Sequence, residues 1–408
     1  MKNKRSEILV IGGGAAGFFA AIHAAESGVQ VVILEKTTKL LSKVKVSGGG
    51  RCNVTHNCDY PNQLVKFYPR GEKTLKKSFS KFDVNDTRRW FEERGVKLKT
   101  EADGRVFPVT DNSQTIIDCL MREVDKKGIE IRTKAEVTEI KPLEKGFKLE
   151  LKNSEALTAD KVIVTVGGYP KSESYQWLRD LGLKIVEPVP SLFTFNVPDS
   201  DMKDLQGLSV ESGMVSVPGS KWKDEGPILI THWGFSAPAV IKLSAWAAID
   251  FHSRKYRFPI HINWTGQNEE KVRETLQEMR KNHPTKQVAS NPLFDIPKRL
   301  WERLCRKAEI TETIRYAELP AKTMNRFIEI LVRCPYDVDG KTTFKEEFVT
   351  AGGVDLSEVD LSTFESKKHP GLFFAGEVLN ADGVTGGYNF QHAWTSGYLA
   401  GLTSSKNS

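Results

Sequence analysis

The chain lacks several features that would narrow its function at once. No apolar run approaches the roughly 20 residues of a membrane span. The basic start, Met1 to Ser6, leads directly into a strand pattern with no apolar leader behind it, so a cytoplasmic protein is expected. Cysteine is scarce: Cys52, Cys58, Cys119, Cys305 and Cys334 are odd in number and scattered, which argues against a disulfide framework. None of them has zinc-ligand spacing, and no metal site is expected. A second G-x-G-x-x-G, as an NAD(P)H-binding domain would carry, is missing too. Charge is not strongly one-sided: 59 Lys and Arg against 52 Asp and Glu give +7. Part of that excess lies in Arg254–Arg257 and in Lys298–Lys307. The second cluster also places Leu300, Trp301, Leu304 and Cys305 at helical spacing, which reads as an amphipathic helix with a solvated basic face. Nucleic acid is not the expected partner. At 408 residues, 39% apolar and 27% charged, the chain suggests a soluble protein of two or three domains.

What is present begins at Glu7. Ile8 to Ile11 is a continuous apolar run, as in a parallel strand buried on both faces. Gly12-Gly13-Gly14-Ala15-Ala16-Gly17 follows, a G-x-G-x-x-G turn with one extra glycine. A helical pattern over Phe18 to Glu26 and a second apolar run, Val29 to Leu34, then end in Glu35. In such a unit the first glycine makes the turn, the second lets backbone approach a pyrophosphate, and the third packs helix on strand. The helix N-terminus offers N–H groups to phosphate, and the acid at the second strand's end takes the ribose hydroxyls. Glu35 would also repel a 2′-phosphate.

Further along, Ser47-Gly48-Gly49-Gly50-Arg51-Cys52-Asn53 is a second glycine-rich loop, where backbone N–H groups can converge on a ligand such as a flavin ring. Residues 74–95 read as one helix and 113–127 as another with a Ser113 cap. Short strands follow at Ile129–Arg132, Glu136–Lys141 and Gly146–Leu151, the last two suggesting a meander laid on the main sheet. Lys161 to Val166 is a buried strand ending at Gly167-Gly168. Glu187-Pro188-Val189-Pro190 marks a boundary. From there to about residue 345 the pattern is that of an insertion: short strands and turns, helices at 268–282 and 297–307, and a return to extended chain over Lys322–Arg333. His232 lies beside Trp233 at a turn inside it. The last 60 residues return to the first domain. A buried strand ends at Gly376-Glu377, and the loop Ala381 to Asn389 leads into a helix from about Phe390 to Leu402, whose dipole could stabilise a reduced flavin.

Taken together, VIGGGAAG, SGGGRCNVT, GRVFP, THWGFSAP, AGEVLNADG and TGGYNFQHAWTSG resemble the BaiN/RdsA-like family of NAD(P)/FAD-dependent oxidoreductases, which includes aminoacetone oxidase-like flavoproteins. The resemblance spans almost the whole chain. It implies an α/β fold: a Rossmann-like FAD-binding domain at 1–189 and 346–408, an inserted β-barrel domain at 190–260 and 316–345, and a small helical insert at 261–315. It places FAD contacts on Gly12, Gly14, Ala15, Ala16, Glu35, Lys36, Lys43, Gly49, Gly50, Arg51, Cys52, Val137, Gly167, Gly376, Glu377, Gly387 and Asn389. Two positions depart from the family pattern. His56 stands where Asn is common, and Ser236-Ala237-Pro238 stands where S-G-P is common, removing backbone freedom at that turn.

The expected activity is hydride transfer between flavin and a small organic substrate, with NAD(P)H as a candidate diffusible donor. The residues leave its direction open, and they leave substrate and oligomeric state unspecified. His232, Tyr388 and His392 are the acid/base candidates. Two alternatives stand beside this reading. One is a dithiol–disulfide reductase using Cys52 and Cys58, although five residues separate the pair where such enzymes usually have four. The other is a flavin-bearing RNA-associated protein. A binding protein with structural FAD is the non-enzymatic case.

Overall fold

The structure, a computed structural model, describes residues 6–343 and 349–406. The basic residues before Ser6 and the expected boundary at 345/346 lie outside them. The chain divides into two compact units: Met1–Ser191 with Lys345–Ser408, and Leu192–Phe344.

The first unit is built on parallel strands. β1 (Ser6–Ile11) leads through the glycine turn into α1 (Ala15–Ala24), then β2 (Val31–Glu35) and, after intervening helices, β3 (Glu130–Thr133). β4 (Ala156–Val164) and β5 (Leu372–Phe374) follow, and α2 (Tyr388–Lys406) closes the chain. The parallel order is β5-β4-β1-β2-β3, with the strands Val137–Pro142 and Phe147–Leu151 added antiparallel on β4. β1 therefore sits where the order reverses, with β2 on one side and β4 on the other. In open α/β sheets that switch point is where ligands bind, beyond the carboxyl ends of the strands. Ile8 to Ile11 are buried on both faces, as their unbroken apolar run requires. α1 packs against α2 at very short range. A Cβ on Gly401 would lie 2.2 Å from the Ala20 carbonyl oxygen, and one on Gly397 would lie 2.8 Å from that of Ala16. Phe19 anchors an aromatic cluster with Phe82, Trp90, Phe91 and Trp394.

Residues 74–95 form two helices, Glu72–Phe79 and Val84–Glu92. The break comes at Asp83, whose carboxylate accepts from the N–H groups of Asn85 and Asp86 while Asp86 returns the bond to the Asp83 N–H. This capping box starts a new helix inside what reads as one periodic stretch.

The second unit has its own core and a seven-stranded antiparallel sheet. Its order is Cys334–Asp339, Arg257–Asn263, Ser209–Ser216, Lys223–Ile230, Gly234–Ser236, Thr194–Asn196, Lys341–Thr342. Among the described residues no ladder joins its two end strands, so a closed barrel is not formed. The chain nevertheless passes from one end strand to the other through Gly340 alone, so the sheet is curled enough for one residue to span the gap.

The extended pattern expected over Lys322–Arg333 is instead the helix Ala321–Arg333. Among its buried side chains Met324, Phe327, Ile328 and Leu331 fall at i, i+3, i+4 and i+7, with Ile330 and Val332 buried beside them, so the helical period outweighs the β-branched run that suggested a strand. Phe327 packs on Trp301 with ring centroids 5.0 Å apart. The helices Glu269–Asn282 and Lys298–Lys307 thus have a third partner beyond residue 315.

Candidate functional site

The carboxyl ends of β1, β2, β4 and β5 bring most of the sequence-assigned residues into one region. Their ladders are in line there, with Ile11 opposite both Leu34 and Val164, and Phe374 opposite Val164. A Cβ on Gly12 would lie 2.5 Å from the Thr165 carbonyl oxygen, and one on Gly17 would lie 1.9 Å from that of Gly12, so both positions demand glycine for packing. Gly14 is different: a Cβ there would meet nothing within 4 Å. It caps α1 without a side-chain bond, and no acidic residue lies in the first turn, so the helix end is left to an incoming anion.

Glu35 is already oriented. Its carboxylate accepts from the Gly13 N–H at 2.8 Å and from the N–H and hydroxyl of Thr37 at 2.8 and 2.9 Å. Lys36 lies 5.3 Å from the centroid of the Tyr169 ring, just past Gly167. The Ala135 N–H donates to the Glu35 carbonyl at 2.9 Å, which leads the chain to Val137 at the start of its strand. Across the switch point, Gly376 packs on Ala16, and Glu377 pairs with Lys43 at 2.5 Å while accepting from the Thr350 N–H at 2.9 Å. A Cβ on Gly168 would press on both Thr350 and Glu377.

The second glycine loop also belongs to this unit. Gly48, Gly49 and Gly50 hold φ of 59°, 70° and 85°, and the last two face open space. Arg51 is not a free charge. It pairs with Glu101 at 2.6 Å and lies 4.0 Å over the Phe107 ring. Cys52 is fully buried, and burial pushes its thiol up to about 12. A sealed, neutral thiol is a poor exchange nucleophile, which speaks against the Cys52/Cys58 reductase reading. Both cysteines are free.

The loop at 386–387 docks directly onto this one. A Cβ on Gly387 would lie 2.6 Å from the Thr55 carbonyl oxygen and 2.9 Å from Asn53 Oδ1. Thr55 donates to Gln391 at 2.7 Å, and the Trp394 indole donates to the Val54 carbonyl at 2.9 Å, tying α2 to the motif. His56 Nδ1 donates to the Gly386 carbonyl at 3.0 Å. The Tyr388 ring stacks on both His56 and Phe67 at 4.7 and 4.6 Å, and those two rings lie 6.1 Å from each other, so the three form a triangle.

The three acid/base candidates fall in unlike settings. Tyr388 stands at the start of α2, and burial pushes its hydroxyl above the usual tyrosine range. His392, one turn on, is 2% exposed, and neither ring nitrogen has a well-formed hydrogen bond; burial lowers it to about 4. His232 is exposed in the second unit, edge-on to Trp233. Asn389 is occupied: its amide both donates to and accepts from the Gly383 backbone at 2.9 Å, closing the loop. Ala237 carries φ +80° and ψ 174°, a backbone state that suits the glycine common at that position. Two residues escaped assignment from sequence, Asn53 and Thr350. Each has a buried side-chain oxygen without a partner, Oδ1 and Oγ1 respectively. Asn53 lies inside the quoted SGGGRCN motif; for Thr350 the sequence holds no comparable signal.

Comparison with known proteins decides the family. The HI0933-like protein Rossmann domain matches residues 6–403. The chain belongs to the HI0933-like family. Its relatives include the ribosomal RNA dihydrouridine synthase of Escherichia coli K12, 29% identical over 405 residues and covering 97% of each chain. The 3-dehydro-bile acid delta(4,6)-reductase of Clostridium scindens is 27% identical, covering 97% of this chain and 98% of that one. These bear out the resemblance drawn from the motifs. A solved 3-ketosteroid-delta4-(5alpha)-dehydrogenase from Rhodococcus jostii RHA1 has the same fold, with TM-score 0.55 at 13% identity over 99% of this HI0933-like chain and 98% of that one. Family and fold place the chain among the FAD-dependent oxidoreductases. No helix among the described residues is long and apolar enough to cross a membrane.

Proposed function

We propose that this chain is an FAD-dependent reductase of carbon–carbon double bonds conjugated to a carbonyl. One observation carries the reading. Two relatives of nearly equal identity are named for saturating such a bond, in a 3-keto bile acid and in a uracil ring. The substrates differ but the bond chemistry is shared.

The residues present fit the cofactor. Gly14, Gly49, Gly50 and Gly167 face space that a side chain would enter freely, and Asn53 and Thr350 each hold a buried acceptor with no partner. Gly12 to Ala16 would hold the pyrophosphate, Glu35 the ribose, Lys43 and Glu377 the linker, and the loops at 49–52 and 387 the ring. Lys36 and Val137 would flank the adenosine end. When bound, FAD supplies a hydride carrier of tunable potential. The chain's own task is to supply the proton. Hydride adds to the carbon β to the carbonyl, and the α-carbon then takes a proton. Tyr388 is the donor in this reading. Burial keeps its hydroxyl protonated, and the rings of His56 and Phe67 stacked on it fix its plane. His392 is buried to the same 2% exposure, and burial lowers it to about 4, so it stands neutral. A curled, barrel-like sheet in the insertion, open between its end strands, belongs to the same proposal and is supported by the link from one end strand to the other at Gly340.

Protein reduced anaerobically by NADH, NADPH or dithionite is mixed with cyclohexenone, a 3-keto-4-ene steroid or uridine-bearing ribosomal RNA. Return of the oxidised flavin spectrum with a product gaining two hydrogens supports the proposal. Flavin that is reoxidised only by oxygen sinks it and favours the oxidase direction.

Uracil in RNA is a second reading of the substrate, favoured by one feature. Lys66, Lys73 and Lys76 are exposed and make no ion pair among the described residues, and Phe67, next to Lys66 in the chain, is 39% exposed. Cations next to an open aromatic face suit a strand of RNA. Binding of a ribosomal RNA fragment that does not weaken with salt, or that is unchanged when all three lysines become glutamine, removes this reading.

A further inference from the structure

Asn53 is one of several buried polar side chains in the first unit with an atom left unpaired, and it is the one set against both glycine loops. It is 8% exposed, and Oδ1 is fully buried without a hydrogen-bond partner. Its Nδ2 makes no hydrogen bond to any described residue either. A buried amide oxygen that accepts no hydrogen bond costs about 1–3 kcal/mol, which a ligand donor reaching Oδ1 would offset. Its neighbours were chosen for closeness. A Cβ on Gly48 would lie 3.4 Å from the Asn53 Cβ, and one on Gly387 would lie 2.9 Å from Oδ1. The amide thus stands between two glycine loops, next to Gly49 and Gly50, which open onto free space. Val54 and Thr55, the next two residues, are tied to α2: the Val54 carbonyl accepts from the Trp394 indole and Thr55 donates to Gln391, so the position of Asn53 is fixed before any ligand arrives.

We propose that the Asn53 amide is the recognition element for the imide edge of the flavin, the ring N–H set between two carbonyls in its pyrimidine half. This rests on the FAD reading above. Oδ1 would accept from the ring N–H, and Nδ2 would donate to an adjacent carbonyl. An amide presents one acceptor and two donors side by side, which matches that edge and no simple alkyl or phosphate group. A site built to bond an N–H rejects an analogue lacking it, because its own buried group is then left unpaired. Replacement by Asp would set a negative charge against a ring that gains negative charge on reduction.

The test uses the purified protein stripped and reloaded with FAD or with 3-methyl-FAD, in which the imide hydrogen is a methyl group. The wild-type protein is expected to bind FAD at least about ten-fold more tightly. Asn53→Ala is expected to lose that preference, and Asn53→Asp to retain bound flavin at a lowered midpoint potential. Thermal melting of the loaded variants checks that they fold; Asn53→Ser serves in place of Asn53→Ala if that variant does not. Equal discrimination in wild type and variant overturns the proposal, whether or not the variant is impaired with a uracil-bearing substrate. A protein that takes up neither flavin fails the FAD reading itself, which is a distinguishable result.

Discussion

Ala237 is the residue whose backbone departs furthest from what its side chain favours. At φ +80° and ψ 174° it sits in a region used almost only by glycine, at a cost of order 1–3 kcal/mol. Ala237→Gly is expected to stabilise the protein by about 1 kcal/mol after glycine's own entropy cost; a urea midpoint that does not rise contradicts this. The same strain was half legible in the sequence, because alanine stood where the family pattern has glycine. Tyr388→Phe keeps the aromatic stack and removes the proton. Flavin reoxidation by a conjugated carbonyl should slow about 100-fold, while reduction by the electron donor stays unchanged. Stopped-flow measurement of the two half-reactions separates them. The buried histidines set a pH dependence. Burial lowers His392 to about 4 and His23 to about 3, from 6.5. Below pH 6.5 the unfolded chain binds protons that the folded chain refuses. Stability present above that pH is therefore lost as it falls toward about 4, by up to about 1.4 kcal/mol per pH unit for each residue. Urea midpoints that stay level across this window would refute it.

The pairing of α1 with α2 depends on glycine more than on apolar area. Gly401 leaves no room beside Ala20, so Gly401→Ala should cost about 1–3 kcal/mol as the helices are forced apart, read from chemical denaturation. Sequence reading served the elements unevenly, for physical reasons. β1, α1 and β2 were plain because a doubly buried strand, a glycine turn and a terminal acid occur in order. The break at Asp83 was hidden because the helices on both sides share one apolar period, and only the reciprocal bond from Asp86 marks the restart. Ala321–Arg333 was misread because its last turn, Ile-Glu-Ile-Leu-Val, alternates and is β-branched, while the residues that settle the period lie a turn earlier. In the site, glycines announce themselves by type. Asn53 does not, because an unpaired amide is a property of its surroundings and not of its neighbours in sequence.

Each of the two units has its own hydrophobic core, and every proposed cofactor contact lies in the first. Added FAD should therefore raise the midpoint of one unfolding transition by mass action, about 2.7 kcal/mol at a hundredfold excess over Kd, and leave a second in place. A single transition shifted as a whole would contradict this. The order of the strands carries a further consequence. β4 and β5 are hydrogen-bonded neighbours, yet the entire second unit is spliced between them, and α2, which covers α1, comes after it in the chain. During synthesis the inserted unit can complete its sheet as soon as Lys341–Thr342 emerges. Its host must wait, with the aromatic face around Phe19 uncovered, until α2 leaves the ribosome. The guest can be born folded while its host still lacks a cover.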